Sequence, residues 1–415
     1  MKFFRVESIR TSRNRSLAGE RGFSLIELMI AMLLGLIVGA GLISLILTSS
    51  RVNAVQLALS RLQESGRIAI DMIAADLRLA GRMPCGSHVA PQIFSEALAA
   101  HITGAPLNAA PSAAAIEGQP YDLDRGVFLA GSQCTGSKCV PLLTKALGVP
   151  QPGLATGDRV PGTDVLTVRY LSGDGTPANV TAEGGGCAAE SPVAIIESGT
   201  ASAPSFVGGH LALLATCTRA QVLAVTGSAL RPVAGTRGTL KCQDVGPAPR
   251  LFDFDSQMQT STYYLQLVQD ETAATRKIAT LMRRTNGVVN EVVQGVERMN
   301  LRYSLRDREG NAYWLEADEV DRGVAPTGDA LACGADASNH RCSWSDIDSV
   351  DIALLVNTID DLPSESSASA WAYRYSVDDD DLHEPAAIMP VTGLASGRML
   401  RREFRTVVAL RNLAP

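Results

Sequence analysis

The sequence predicts an α+β protein in which one long N-terminal helix, half apolar and half amphipathic, carries a C-terminal antiparallel β-sheet head. Three observations carry that prediction. Leu28–Ser50 contains no charged residue, a 3,4 apolar spacing continues past it, and from Thr163 short alternating runs replace the helical period. The 415 residues can bury a substantial core, and 46% apolar with 19% charged residues excludes a disordered chain and a polytopic membrane protein. A net charge of −6 argues against nucleic acid as the main partner, because phosphate binding needs a basic face. In chain order the reading is a basic leader (1–22), a long helix (23–84, with 23–50 transmembrane), an Ala/Gly/Pro-rich loop or insertion (85–160) and a β-rich globular head (161–415).

The leader is basic: Lys2, Arg5, Arg10, Arg13, Arg15 and Arg21 stand against Glu7 and Glu20. Leu28–Leu47 then supplies twenty almost wholly apolar residues, which at about 1.5 Å each span roughly 30 Å, the thickness of a bilayer core. The preceding arginines predict a cytoplasmic N-terminus and an outward C-terminal part. The apolar run is too long for an ordinary secretory signal and lacks a small-x-small cleavage site after it. Its distinctive residues lie on the inner side instead: Arg21-Gly22-Phe23-Ser24-Leu25-Ile26-Glu27-Leu28. Glu27 at the mouth of an apolar helix costs about 2–3 kcal/mol in lipid unless it is paired or interfacial. The flexible Gly22 offers a protease an accessible bond, and a cut there places a new amine on Phe23, able to compensate Glu27. An uncleaved signal anchor with an interfacial Glu fits the same chemistry.

Gly22-Phe23-Ser24-Leu25-Ile26-Glu27-Leu28 resembles the class III signal of type IV prepilins and type II secretion pseudopilins. The resemblance implies that a prepilin peptidase cuts Gly22–Phe23, that Phe23 is N-methylated, and that Glu27 forms the assembly salt bridge with a neighbour's terminal amine. The leader is long for the family, which leaves the start of translation open.

Beyond the membrane segment, Val52, Val55, Leu59, Leu62, Gly66, Ala69 and Ile73 are spaced 3, 4, 3, 4, 3, 4 and share one helical stripe, while Arg51, Gln56, Arg61, Gln63, Glu64, Arg67 and Asp71 fall off it. The stripe predicts docking on the head, and Gly81 and Pro84 predict the stop. Gly35, Gly39 and Gly41 fit close helix approach and simple membrane tolerance equally. Leu62–Ala69, Asp76–Gly81 and the nearby Cys85 resemble the long helix and its exit in PilW-family minor pilins. Thr262-Tyr263-Tyr264-Leu265, Val292–Glu297, Trp344 ahead of Ile347–Val356, and the final Arg401–Asn412 agree; residues 86–160 and 172–250 do not take part. This family resemblance implies a minor pilin of type IV pilus assembly, in the initiation or tip complex and connected with twitching motility. Its implied partners are other minor pilins, the major pilin, the prepilin peptidase and the inner-membrane platform protein. It also implies passage from the inner membrane, C-terminus periplasmic, to the pilus. The alternatives are a type II secretion pseudopilin and a tip adhesin or DNA-uptake subunit whose 86–250 region touches a surface or nucleic acid.

Residues 86–160 read as loops. Strands are expected at Asp164–Leu171, His210–Cys217, Gln221–Thr226, Thr262–Val268, Lys277–Arg283, Met299–Leu305, Ser349–Val356 and Phe404–Leu410, forming an antiparallel sheet covered by the docked helix. All eight cysteines follow the membrane segment, so the orientation places them in an oxidising compartment. Proximity selects Cys134–Cys139 and Cys333–Cys342 as disulfides; Cys85, Cys187, Cys217 and Cys242 stay unassigned. Cys333, His340 and Cys342 lack a fourth nearby metal ligand, so no metal or other cofactor is expected. Asp378–Asp381 reads as a solvated loop before a calcium site. No catalytic residue is assigned: His88, His101, His210, His340 and His383 are scattered, with no HExxH or GxSxG. Gly131–Lys138 only superficially resembles a phosphate loop, since its Lys is displaced and Cys139 stands where a hydroxyl is needed.

Overall fold

A computed structural model describes residues 22–82, 128–136, 138–143, 147–182, 193–198, 211–215, 220–226, 229–232, 249–253, 257–271, 276–306, 310–323, 327–328, 344, 347–362, 371–378, 382–383 and 398–412. The chain divides into two units, Met1–Val55 and Gln56–Pro415. A single helix, α1 (Leu25–Leu79), contributes to both. It starts where the Leu28 amide donates to the Ser24 carbonyl at 3.1 Å. It stops at Gly81, whose φ of 69° is left-handed and whose amide donates to the carbonyl of Arg169.

In the first unit α1 is apolar and solvent-facing: Leu25, Ile26, Leu36, Leu45 and Ile46 are all more than 60% exposed. This helix is long and apolar enough to cross a membrane.

Among the described residues, the second unit is built from the rest of α1, a short helix and four antiparallel sheets. β1 (Leu129–Thr135), β2 (Lys138–Val140) and β3 (Val165–Leu171) are followed by β4 (Thr176–Ala182), β5 (Val193–Ser198), β6 (Leu211–Ala215), β7 (Ala220–Thr226), β8 (Ala229–Pro232) and β9 (Arg250–Asp253). The chain continues with β10 (Met258–Gln269), β11 (Lys277–Thr285), β12 (Val288–Gln294), β13 (Val296–Arg306), β14 (Ala312–Leu315), the short helix α2 (Ala317–Arg322), β15 (Ser349–Asn357), β16 (Tyr373–Arg374), β17 (Leu382–His383) and β18 (Arg401–Ala409). The first sheet has the order β12-β11-β10-β3-β1-β2, the second β14-β13-β15-β18 and the third β5-β4-β9-β6-β7-β8; β16 and β17 pair separately.

One core joins α1 to the first two sheets and takes in Leu213, Ala215 and Phe252 of β6 and β9 in the third. Leu62, Ala69, Ile73, Ala74 and Leu77 of α1 pack with Leu166, Val168, Tyr263, Leu265, Met299, Leu301, Ile352, Leu354 and Val408. Burying each large aliphatic side chain contributes about 1.5–3 kcal/mol. Gly66 lets the helix press against the second sheet: a Cβ there would lie 2.3 Å from the Phe404 ring.

Three expectations need correction. The apolar stripe is buried only from Leu62 onwards; within the second unit Leu59 remains 37% exposed, one turn short of the core. Three sheets, not one, contribute to the α1-containing core, the third being inserted between β3 and β10. Within 85–160, read as loops, β1 and β2 belong to the first sheet, with Phe128, Leu129 and Val160 in the core. β1 escapes propensity reasoning because it must be small: a Cβ at Gly131 would lie 1.9 Å from the Tyr303 hydroxyl.

Candidate functional site

The N-terminal signal is the first candidate. Gly22, Phe23 and Ser24 precede the helix without regular structure, and Phe23 is 84% exposed. Among the described residues nothing lies within 4 Å of a Cβ placed on Gly22, so none of them crowds the bond after it on that side. Glu27 lies in the first turn of α1, where the positive end of the helix dipole favours a carboxylate. A cut after Gly22 makes Glu27 the fifth residue and leaves the charged pair at the head of an otherwise apolar rod. That arrangement suits helix-to-helix association, since every large side chain that would gain from burial is open to solvent.

In the second unit, the head holds its part of α1 through a buried carboxylate. Asp76 is 5% exposed. It accepts hydrogen bonds from Tyr263 Oη at 2.6 Å and Tyr170 Oη at 3.2 Å. Arg283 closes the group with a two-pronged contact, Nε to Oδ2 and Nη2 to Oδ1, each at 2.9 Å. Burial, reinforced by the adjacent carboxylate, pushes both tyrosine hydroxyls up, Tyr263 far above its ordinary range, so they remain donors. At the helix exit, Asn412 Nδ2 donates to the Arg78 carbonyl at 3.0 Å. Reasoning from the sequence missed the role of Asp76, although a signal was present. Extending the stripe from Gly66 through Ala69 and Ile73 by the same 3,4 rule lands on Asp76, an acid on a buried face.

A second buried group lies at the β1–β2 hairpin. Asp164 accepts from the Leu301 amide at 2.8 Å and the Cys134 amide at 3.3 Å. Burial pushes its carboxyl up to about 7, against the pull of those two amides. Nothing in the local sequence distinguishes this Asp from a strand-bounding one. The Cys134–Cys139 disulfide staples β1 to β2, so this segment forms a hairpin rather than a phosphate cradle. Cys85, Cys187, Cys217, Cys242, Cys333, Cys342 and His340 lie outside the described residues.

Asp378 is taken up structurally: both its oxygens accept from Arg298, Oδ1 at 2.9 Å. Asp379–Asp381 lie outside the described residues, among which no cluster of three or more His, Cys, Asp or Glu suits a metal. Glu297 and Arg401, both almost wholly buried, pair at 2.8 Å and tie β13 to β18.

Residues 262–412 match the family model of Type IV Pilus-assembly protein W, and residues 17–43 match that of the prokaryotic N-terminal methylation motif. No curated protein and no solved structure matches the chain. The first match runs from β10 to the chain's last described turn and includes Tyr263 and Arg283, which hold Asp76. The second brackets Gly22, Phe23 and Glu27.

Proposed function

We propose that this chain, a PilW-type minor pilin of type IV pilus assembly, is cut between Gly22 and Phe23 by a prepilin peptidase and enters the pilus initiation or tip complex through its apolar helix. The observation that carries the reading is the coincidence of the methylation motif with the uncrowded Gly22–Phe23 bond and the exposed apolar start of α1. Phe23 then provides the N-methylated amine and Glu27 the acid that meets a neighbour's amine. In a low-dielectric bundle a half-made ion pair is costly, so the pair sets axial register. The neighbours are other minor pilins and the major pilin, assembled on the inner-membrane platform protein, with the head on the periplasmic side and later at the cell surface. The work is assembly rather than catalysis. Glu27→Ala should leave membrane insertion intact and abolish incorporation, read as loss of surface pili and of the subunit from sheared fibres; normal pilus number in this variant contradicts the mechanism.

A tip role with its own ligand is favoured by one further observation. The third sheet, Thr176–Asp253, lies wholly outside both matched stretches. Replacing 216–248 by a short linker, which keeps Leu213, Ala215 and Phe252 in the core and joins the paired β6 and β9, should then spare piliation and remove surface binding.

A further inference from the structure

The assembly reading makes no use of the Cys134–Cys139 disulfide or of the charge beside it. Arg159 is 1% exposed. Its Nη1 donates to the Thr163 carbonyl at 3.2 Å and its Nη2 to Cys139 Sγ, also at 3.2 Å, while Nε has no hydrogen-bond partner among the described residues. Asp164 is near enough to act on Arg159 through its charge, but its oxygens are taken by the Cys134 and Leu301 amides. A guanidinium is therefore buried against neutral acceptors, an expensive arrangement, and burial lowers its pKa. The two sulfurs are not equivalent. Cys139 Sγ faces the cation; Cys134 Sγ faces the Ser132 carbonyl at 3.8 Å. The other anion close to the hairpin, Glu316, is held by Gln133. An anion at Cys139 Sγ would meet the guanidinium directly; one at Cys134 Sγ would meet a carbonyl oxygen.

We propose that Cys134–Cys139 is a redox-active disulfide that exchanges with a dithiol oxidoreductase of the C-x-x-C class, with Cys139 as the thiolate held by Arg159. The oxidoreductase's thiolate attacks Cys134 Sγ, the S–S bond breaks, and its electron pair leaves on Cys139 Sγ. The second thiol of the oxidoreductase, deprotonated, then attacks its own sulfur in the mixed disulfide and releases Cys134, which takes up a proton. The pair gains two electrons, and the dithiol becomes a disulfide. A leaving thiol of low pKa departs faster, and a neighbouring arginine lowers it. Both cysteines are buried, at 3% and 6% exposed, so the exchange needs the β1–β2 hairpin to open.

The test uses the full-length protein in detergent, equilibrated in glutathione redox buffers, with differential alkylation and mass spectrometry of the peptides carrying Cys134 and Cys139. Arg159→Gln should make the pair at least tenfold harder to reduce, with Arg159→Lys in between; equal reduction of Arg159→Gln and wild type overturns the proposal. Because Arg159→Gln can also loosen the fold, Cys134→Ser provides a separate reading by leaving Cys139 as the reporter thiol. Its alkylation rate against pH should titrate below the ordinary thiol value of about 8.5, and titration at or above that value overturns the proposal whatever the arginine variants show.

Discussion

Replacing Asp76 by Ala removes the acceptor for two tyrosine hydroxyls and a two-pronged arginine in one step. Breaking a buried pair by deleting one partner costs about 3–5 kcal/mol, since the other charge is left without its counter-ion. Here the Arg283 side chain is 26% exposed and can recover some hydration, so the loss should lie at the lower end, about 3 kcal/mol or roughly 100-fold in the folded ratio. Tyr263→Phe, which removes one donor only, should cost about 1–1.5 kcal/mol. The assay is urea unfolding of the detergent-solubilised protein followed by near-ultraviolet circular dichroism, with Asp76→Ala, Arg283→Met and the double variant in one cycle. A coupling energy above about 1 kcal/mol is expected. Additive single losses, or an Asp76→Ala loss under about 1 kcal/mol, would refute the claim that this carboxylate fastens α1 to the sheet.

Two further outcomes follow from the packing. The folded-state pKa of Asp164, about 7, lies above its unfolded value, so the folded chain binds the extra proton between roughly pH 4 and 7. Stability should therefore be fullest below pH 4 with respect to this group and fall as pH rises through 7, by about 4 kcal/mol at most; chemical unfolding across this range should show the slope in wild type and lose it in Asp164→Asn. Gly66→Ala should destabilise by about 1–3 kcal/mol even though Ala favours the helix by about 1 kcal/mol, because the new Cβ meets the Phe404 ring. Thermal unfolding checks it, Phe404→Leu should recover part of the loss, and a stabilised Gly66→Ala would show that the close approach is absent.

The long helix was legible because its signal is periodic over many turns: a charge-free run, then apolar residues at 3,4 spacing, then Gly81. Strands β3, β10, β11, β13, β15 and β18 were legible as short runs rich in aliphatic, aromatic and Thr residues. β1 was not, because its inward positions are small to fit under Tyr303, and a Gly-Ser-Gln run carries no strand signature. β12 begins with four exposed residues, so alternation gives no cue there. Of the candidate sites, Gly22, Phe23 and Glu27 stand out in sequence because they break the pattern around them. Asp76 was readable only by extending the buried stripe, and its partners Tyr170, Tyr263 and Arg283 come together only through the pairing of β3, β10 and β11. Arg159 and Asp164 draw their character chiefly from burial, which no short window of sequence reveals.

The central claim is that this chain enters a fibre through a helix whose inner end has been trimmed. Intact-mass and N-terminal peptide spectrometry of the subunit recovered from cells tests it most directly. The expected product begins at Phe23 with a single methyl group on its amine. A chain that keeps Arg21 and Gly22 and an unmodified Phe23 contradicts the account.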